Sequence, residues 1–162
     1  MKNRFRQISR RQGVLALVAC GAAWAVFCFA LDWAGHAPTR APLPRWYRIQ
    51  GALLVPWMVL VGTVYATLAQ KLSGSEEDRR GALMVSLGLP IGVGFVLPDI
   101  AVYALGGFDA LWPAMAVYGG LTVLVSVGLG LWVLWDRGAA RALLAVVPAW
   151  LVQAVLASLL LR

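Results

Sequence analysis

Five stretches of this chain are each near 20 residues long, apolar almost throughout and nearly free of charge. At 1.5 Å of rise per residue, such a run matches the roughly 30 Å hydrocarbon core of a bilayer. The spans read as about Gly13–Ala34, Gln50–Gln70, Ala82–Tyr103, Pro113–Trp135 and Ala142–Leu161. Because the runs are continuous and do not alternate, helices are expected and a barrel is not. The expected fold is an all-α polytopic membrane protein: a five-helix transmembrane domain over residues 13–162, preceded by a basic tail at 1–12.

Composition agrees with this. The chain is 61% hydrophobic and 13% charged, against roughly a quarter charged in soluble domains. Most soluble enzymes and nucleic-acid binders are thereby excluded. The net charge of +7 would invite nucleic acid in a soluble protein, but here the basic residues fall mainly between spans and set orientation. With the N-terminus in the cytoplasm, ten lie inside: Lys2, Arg4, Arg6, Arg10, Arg11, Lys71, Arg79, Arg80, Arg137 and Arg141. Four lie outside: Arg40, Arg45, Arg48 and Arg162. The expected topology is N-in and C-out, in a cell membrane of the bacterial inner-membrane type. Trp33, Trp46, Tyr47, Tyr103 and Trp112 would form the outer aromatic belt, with Trp132 and Trp135 nearer the inner face.

The connections are short. Gly35–Arg45 holds three prolines and reads as an extended loop. Ala104–Trp112 and Asp136–Arg141 are hairpin-length turns. In Lys71–Gly81, Ser75 followed by Glu76, Glu77 and Asp78 reads as a capped helix start, with Glu76 and Arg80 paired at i, i+4. Leu17-Val18-Ala19-Cys20 before a glycine resembles a lipobox, but the apolar run continues to Leu31, so an uncleaved signal anchor is expected.

Chemistry-bearing residues are few. Cys20 and Cys28 are roughly 12 Å apart along one helix, too far to bridge. His36 is the only histidine, which argues against a His-ligated metal or bis-His haem site. There is no HExxH, GxSxG, Walker loop or paired-aspartate arrangement. No catalytic residue and no cofactor is expected. The candidate binding or ion-pair residues are Asp32, Asp99, Asp109, Arg45 and Arg48, all assigned to the outer side. One expectation is a carboxylate cluster for a cation or amine. The favoured one is interfacial charge, paired with Arg45 or Arg48 or solvated, since Asp99 is only four residues from the expected span end.

The stretch Gly88–Tyr103, GLPIGVGFVLPDIAVY, places two prolines and one aspartate inside a span. Gly88 and Gly92 form a GxxxG packing signal, and Ser126–Gly130 and Ala154–Ser158 have the same spacing. Pro90 should kink the span, with a neighbouring helix covering the freed carbonyl. At Pro98-Asp99 the helix is expected to end early or turn into an interfacial segment. Pro148 and Gln153 belong to span five, Gln153 as an interhelical hydrogen-bonding group.

From about Tyr47 to Leu161 the chain resembles the Ypt-interacting (Yip) domain family of five-span membrane proteins, in its bacterial branch. The resemblance lies in ATLAQKLSGSEEDRRGALMVSLGLP: a span end, a glycine-containing polar loop at Ser73-Gly74-Ser75, and a small-residue run at Gly81–Leu89 closed by Pro90. LWDRGAARALLAVVPAWLV is similar to the family's short basic turn before an Ala-rich last span. The resemblance implies five spans, a cytoplasmic N-terminus and no known enzymatic activity. Eukaryotic relatives are linked to membrane trafficking and bind small GTPases. With only about a dozen residues ahead of span one, GTPase binding is not carried over. The implied function is a non-enzymatic scaffold or accessory subunit. Its expected partners are membrane lipids and another membrane protein or itself. The alternative is a small transporter or permease component with an outward-facing carboxylate site.

Overall fold

The computed structural model describes residues 2–33 and 45–160, with the side chains at 31–33 and 45–50 and a few others excepted. The expected Gly35–Arg45 loop lies outside the described residues except for Arg45, which begins a helix. The elements are α1 (Lys2–Arg6), α2 (Arg10–Trp33), α3 (Arg45–Ser73), α4 (Arg80–Ile91), a π-helical turn (Gly92–Val96), α5 (Leu97–Leu134), a 3-10 turn (Trp135–Arg137) and α6 (Ala139–Leu160). Among the described residues there is no strand. Among the described residues five segments are long and apolar enough to cross a membrane: Arg10–Ala30, Gly51–Ser73, Arg80–Gly107, Ala116–Arg137 and Ala139–Leu156. The protein is a polytopic five-helix membrane bundle.

Each described turn between spans contains one glycine in the left-handed region. Gly74 (φ 63°) follows α3, Gly107 (φ 72°) breaks α5 into its two spans, and Gly138 (φ 90°) precedes α6. No side chain tolerates that backbone cheaply, so these glycines place the reversals.

Three helix boundaries differ from expectation. Helix α2 begins at Arg10, ahead of residue 13, because Ser9 and Gln12 close a reciprocal cap: the Ser9 N–H reaches Gln12 Oε1 at 2.9 Å, and the Gln12 N–H reaches Ser9 Oγ at 3.3 Å. Helix α4 begins at Arg80 and not near Ser75. The Ser75 hydroxyl donates to the Glu77 carbonyl, and the Arg80 N–H goes to the Asp78 carboxylate. The charge pair is Asp78–Arg80 at 2.7 Å, in place of Glu76–Arg80. Third, the chain does not leave the helix at Pro98. It runs on for more than two turns to Gly107.

The densest packing lies in the half of the bundle nearest the 74–79 and 135–138 turns. There Leu17, Met58, Tyr65, Leu83, Leu87, Leu134 and Val146 are fully buried. Helices α2 and α4 cross at glycine: a Cβ on Gly13 would stand 2.8 Å from the Gly81 Cα. The expected GxxxG works the same way, since a Cβ on Gly88 would lie 3.1 Å from Leu17 Cδ2 and one on Gly92 3.6 Å from Cys20 Sγ. Both glycines thus face α2. Gly130 leaves room for the Tyr65 phenol. With few large side chains between them, small residues set how closely membrane helices approach.

Candidate functional site

Two polar constellations stand out, one at the bundle end and one inside a span. At the end, Arg79 is only 4% exposed. Its guanidinium grips the Asp136 carboxylate with both terminal nitrogens, Nη2 at 2.6 Å from Oδ2. It also reaches Glu77 Oε2 at 2.7 Å and the Val133 carbonyl at 2.8 Å. Arg6 adds a hydrogen bond to the Trp132 carbonyl at 2.9 Å and a longer ion pair to Asp136 at 3.8 Å. Phe5 packs on the Trp132 ring. The 73–79 loop is folded onto Gln70, whose amide donates to the Ser75 and Glu77 carbonyls and accepts from the Arg79 N–H. The carboxylates, Asp136 first, hold the Arg79 pKa above its ordinary value, against the opposing effect of its burial. This network ties the N-terminal segment, the α3–α4 loop and the α5–α6 turn at one end of the bundle. Sequence reading missed it because Arg79 and Asp136 are 57 positions apart.

The second constellation occupies the stretch with the two prolines. Asp99 is 2% exposed and accepts a hydrogen bond from the Tyr118 hydroxyl across the hairpin of α5. The expectation of a solvated Asp99 is therefore overturned. The physical reason is the length of the helix: Asp99 lies eight residues before Gly107, roughly 12 Å below the turn, and not near an end. Next to it the backbone widens into the π-helical turn Gly92–Val96, whose closing bond runs from the Leu97 N–H to the Gly92 carbonyl. Pro98 has no N–H for the Gly94 carbonyl. The Thr122 hydroxyl, from the opposite arm of the hairpin, supplies a donor at 2.8 Å, and it also lies 2.9 Å from the Tyr118 carbonyl. Gly94 allows this approach, since a Cβ there would stand 2.9 Å from Thr122 Oγ1. The second arm of α5 thus covers the carbonyl that Pro98 leaves without a backbone donor.

Of the other expected site residues, the side chains of Asp32, Asp109, Arg45 and Arg48 lie outside the described residues. Pro90 is buried one residue before the end of α4, Pro148 is inside α6, and Gln153 is buried. Cys20 and Cys28 are free and buried. Among the described residues no group of three or more His, Cys, Asp or Glu could hold a metal. Tyr118 and Thr122 were not anticipated. Their signal was the four-residue spacing on one helix face, legible only once Asp99 has a facing helix.

The chain matches no family model, no curated protein and no solved structure.

Proposed function

We propose that this chain is a non-enzymatic, Yip-like integral membrane protein that acts as a scaffold or accessory subunit. In this reading it packs against other membrane proteins or a second copy of itself in a bacterial inner membrane, with its N-terminus in the cytoplasm. The observation that carries it is that the intramembrane carboxylate is engaged within the chain: Asp99 is buried under Tyr118. Buried ionisable groups in spans mark working sites by default. Here the pair cross-links the two arms of α5, and beside it Thr122 ties the second arm to Gly94 of the π-helical turn. The charge distribution supports the topology, since Arg6, Arg79 and the 135–137 turn meet at one end. Purification in mild detergent tests the reading. A stable complex with another membrane protein or a homo-oligomer is expected, and a lone monomer counts against it.

A second reading, a small transporter component, is favoured by one observation. The π-helical turn Gly92–Val96 lies directly beside Asp99, and such distortions are frequent at functional sites. Replacing Asp99 with Asn distinguishes the two. A transport or growth phenotype lost at unchanged protein level supports the transporter; an unchanged phenotype supports the accessory reading.

A further inference from the structure

Two hydroxyls in the core of the bundle make no hydrogen bond: Tyr65 Oη on α3 and Ser126 Oγ on α5. Both are deeply buried, the residues being 0% and 1% exposed. They belong to one place. A Cβ on Gly130 would overlap the Tyr65 phenol oxygen. Ser126 lies four residues before Gly130 on the same face of α5, so its Cβ is about 5–6 Å from that point. The Ser86 hydroxyl of α4 lies beside the same phenol. Its own proton goes to the Leu83 carbonyl at 2.7 Å, which leaves its lone pairs as acceptors.

The three hydroxyls also share a depth. Ser86 is six residues into α4, and Tyr65 and Ser126 are each eight residues from the ends of α3 and α5 on that side of the bundle. All three therefore lie roughly 9–12 Å below the polar end. A hydroxyl without a partner at that depth is costly. Hydroxyls in membrane helices often return their proton to a carbonyl one turn back, as Ser86 does to Leu83 and Thr122 to Tyr118. Ser126, one turn beyond Thr122 on the same helix, does not. Its proton and that of Tyr65 need an acceptor that neither residue finds in the chain.

We infer that one water molecule is bound between Tyr65, Ser86 and Ser126 and joins α3, α4 and α5. The water accepts from Tyr65 and from Ser126 and donates to Ser86 Oγ. Three bonds are the usual number for a buried water. Leu87, Val133 and Val146 beside these residues are buried and apolar, so nothing there balances the charge of an ion. Gly130 completes the site, because only a residue without a side chain lets the phenol oxygen come so close to α5. The site is independent of the accessory role and holds whether or not the chain has a protein partner.

The test is X-ray radiolytic footprinting of the full chain in lipid nanodiscs, without dissolved oxygen and in water enriched in heavy oxygen. Tandem mass spectrometry locates the oxidised side chains. Radicals formed from a bound water attack the ring beside it, so Tyr65 should gain heavy oxygen in spite of its burial. Leu17 and Met58, which are also fully buried, should stay at background. Ser126→Val puts a methyl group where the hydroxyl stands and should lose the Tyr65 label, whereas Ser126→Thr keeps the hydroxyl and should retain it. An unlabelled Tyr65 in the unaltered chain would mean a dry site and overturn the inference with no variant needed. Labelling of Leu17 or Met58 to the same extent would show radicals arriving through the bundle and would overturn it too. So would a Tyr65 label that survives in a folded Ser126→Val chain.

Discussion

The Thr122 hydroxyl lies 2.8 Å from the Gly94 carbonyl, the acceptor that Pro98, four residues on, cannot fill. A defect in one arm of the α5 hairpin is thus met by a donor from the other. Replacing Thr122 with Val keeps the shape and removes the donor. The expected cost is about 1 kcal/mol, read as a lower unfolding midpoint in detergent titration. Adding Pro98→Ala to that variant should recover part of the loss, because an N–H returns near Gly94. Additive losses would show that the two residues do not serve the same carbonyl.

Asp99 and Tyr118 give a sharper contrast. Tyr118→Phe leaves a buried carboxylate without its phenol donor and should destabilise by about 1–3 kcal/mol. Asp99→Asn retains an acceptor for the phenol and should cost less. If the asparagine variant is the weaker of the two in the same unfolding assay, the phenol is not the partner that matters.

At the polar end, Arg79 is the residue most dependent on its partners. Arg79→Leu should cost about 1–3 kcal/mol, because it removes the bonds to Asp136, Glu77 and the Val133 carbonyl while the two part-exposed carboxylates turn to water. Asp136→Leu should cost less, since Arg79 keeps Glu77 and the Val133 carbonyl. The double variant should be more stable than the sum of the single losses predicts. Strict additivity in thermal unfolding would remove the pair from the account of this end.

The glycines divide by what a methyl group would meet. Gly81→Ala drives its Cβ into the Ile8 and Ser9 carbonyl oxygens where α2 begins, and overpacking of that kind costs about 1–3 kcal/mol. Gly120 faces open space within a span, so Gly120→Ala should be neutral or gain up to about 1 kcal/mol in helix propensity. Equal effects of the two in a thermal shift assay would contradict the crossing of α2 and α4 at Gly81.

How much of this was legible follows from the range of each interaction. Spans are written in contiguous hydropathy, so all five were readable, and Gly74, Gly107 and Gly138 fell within expected turns. The Gly88 and Gly92 face was readable because helical spacing is local. The start of α4 was misplaced because Ser75 looks like a cap, while its hydroxyl is used inside the loop and Asp78 meets the first helical N–H. The depth of Asp99 was misjudged because no polar side chain between Tyr103 and Gly107 marks the helix end; the break comes from backbone geometry at Gly107. Arg79–Asp136, Asp99–Tyr118 and Gly94–Thr122 join residues 57, 19 and 28 positions apart. No pattern along one helix announces such pairs.

Crosslinking mass spectrometry on native membranes tests the central claim, an accessory role, most directly. The account predicts reproducible crosslinks from Lys71, at the polar end, to one other membrane protein or to a second copy of this chain. A chain that yields only internal crosslinks and purifies as a lone monomer would contradict it.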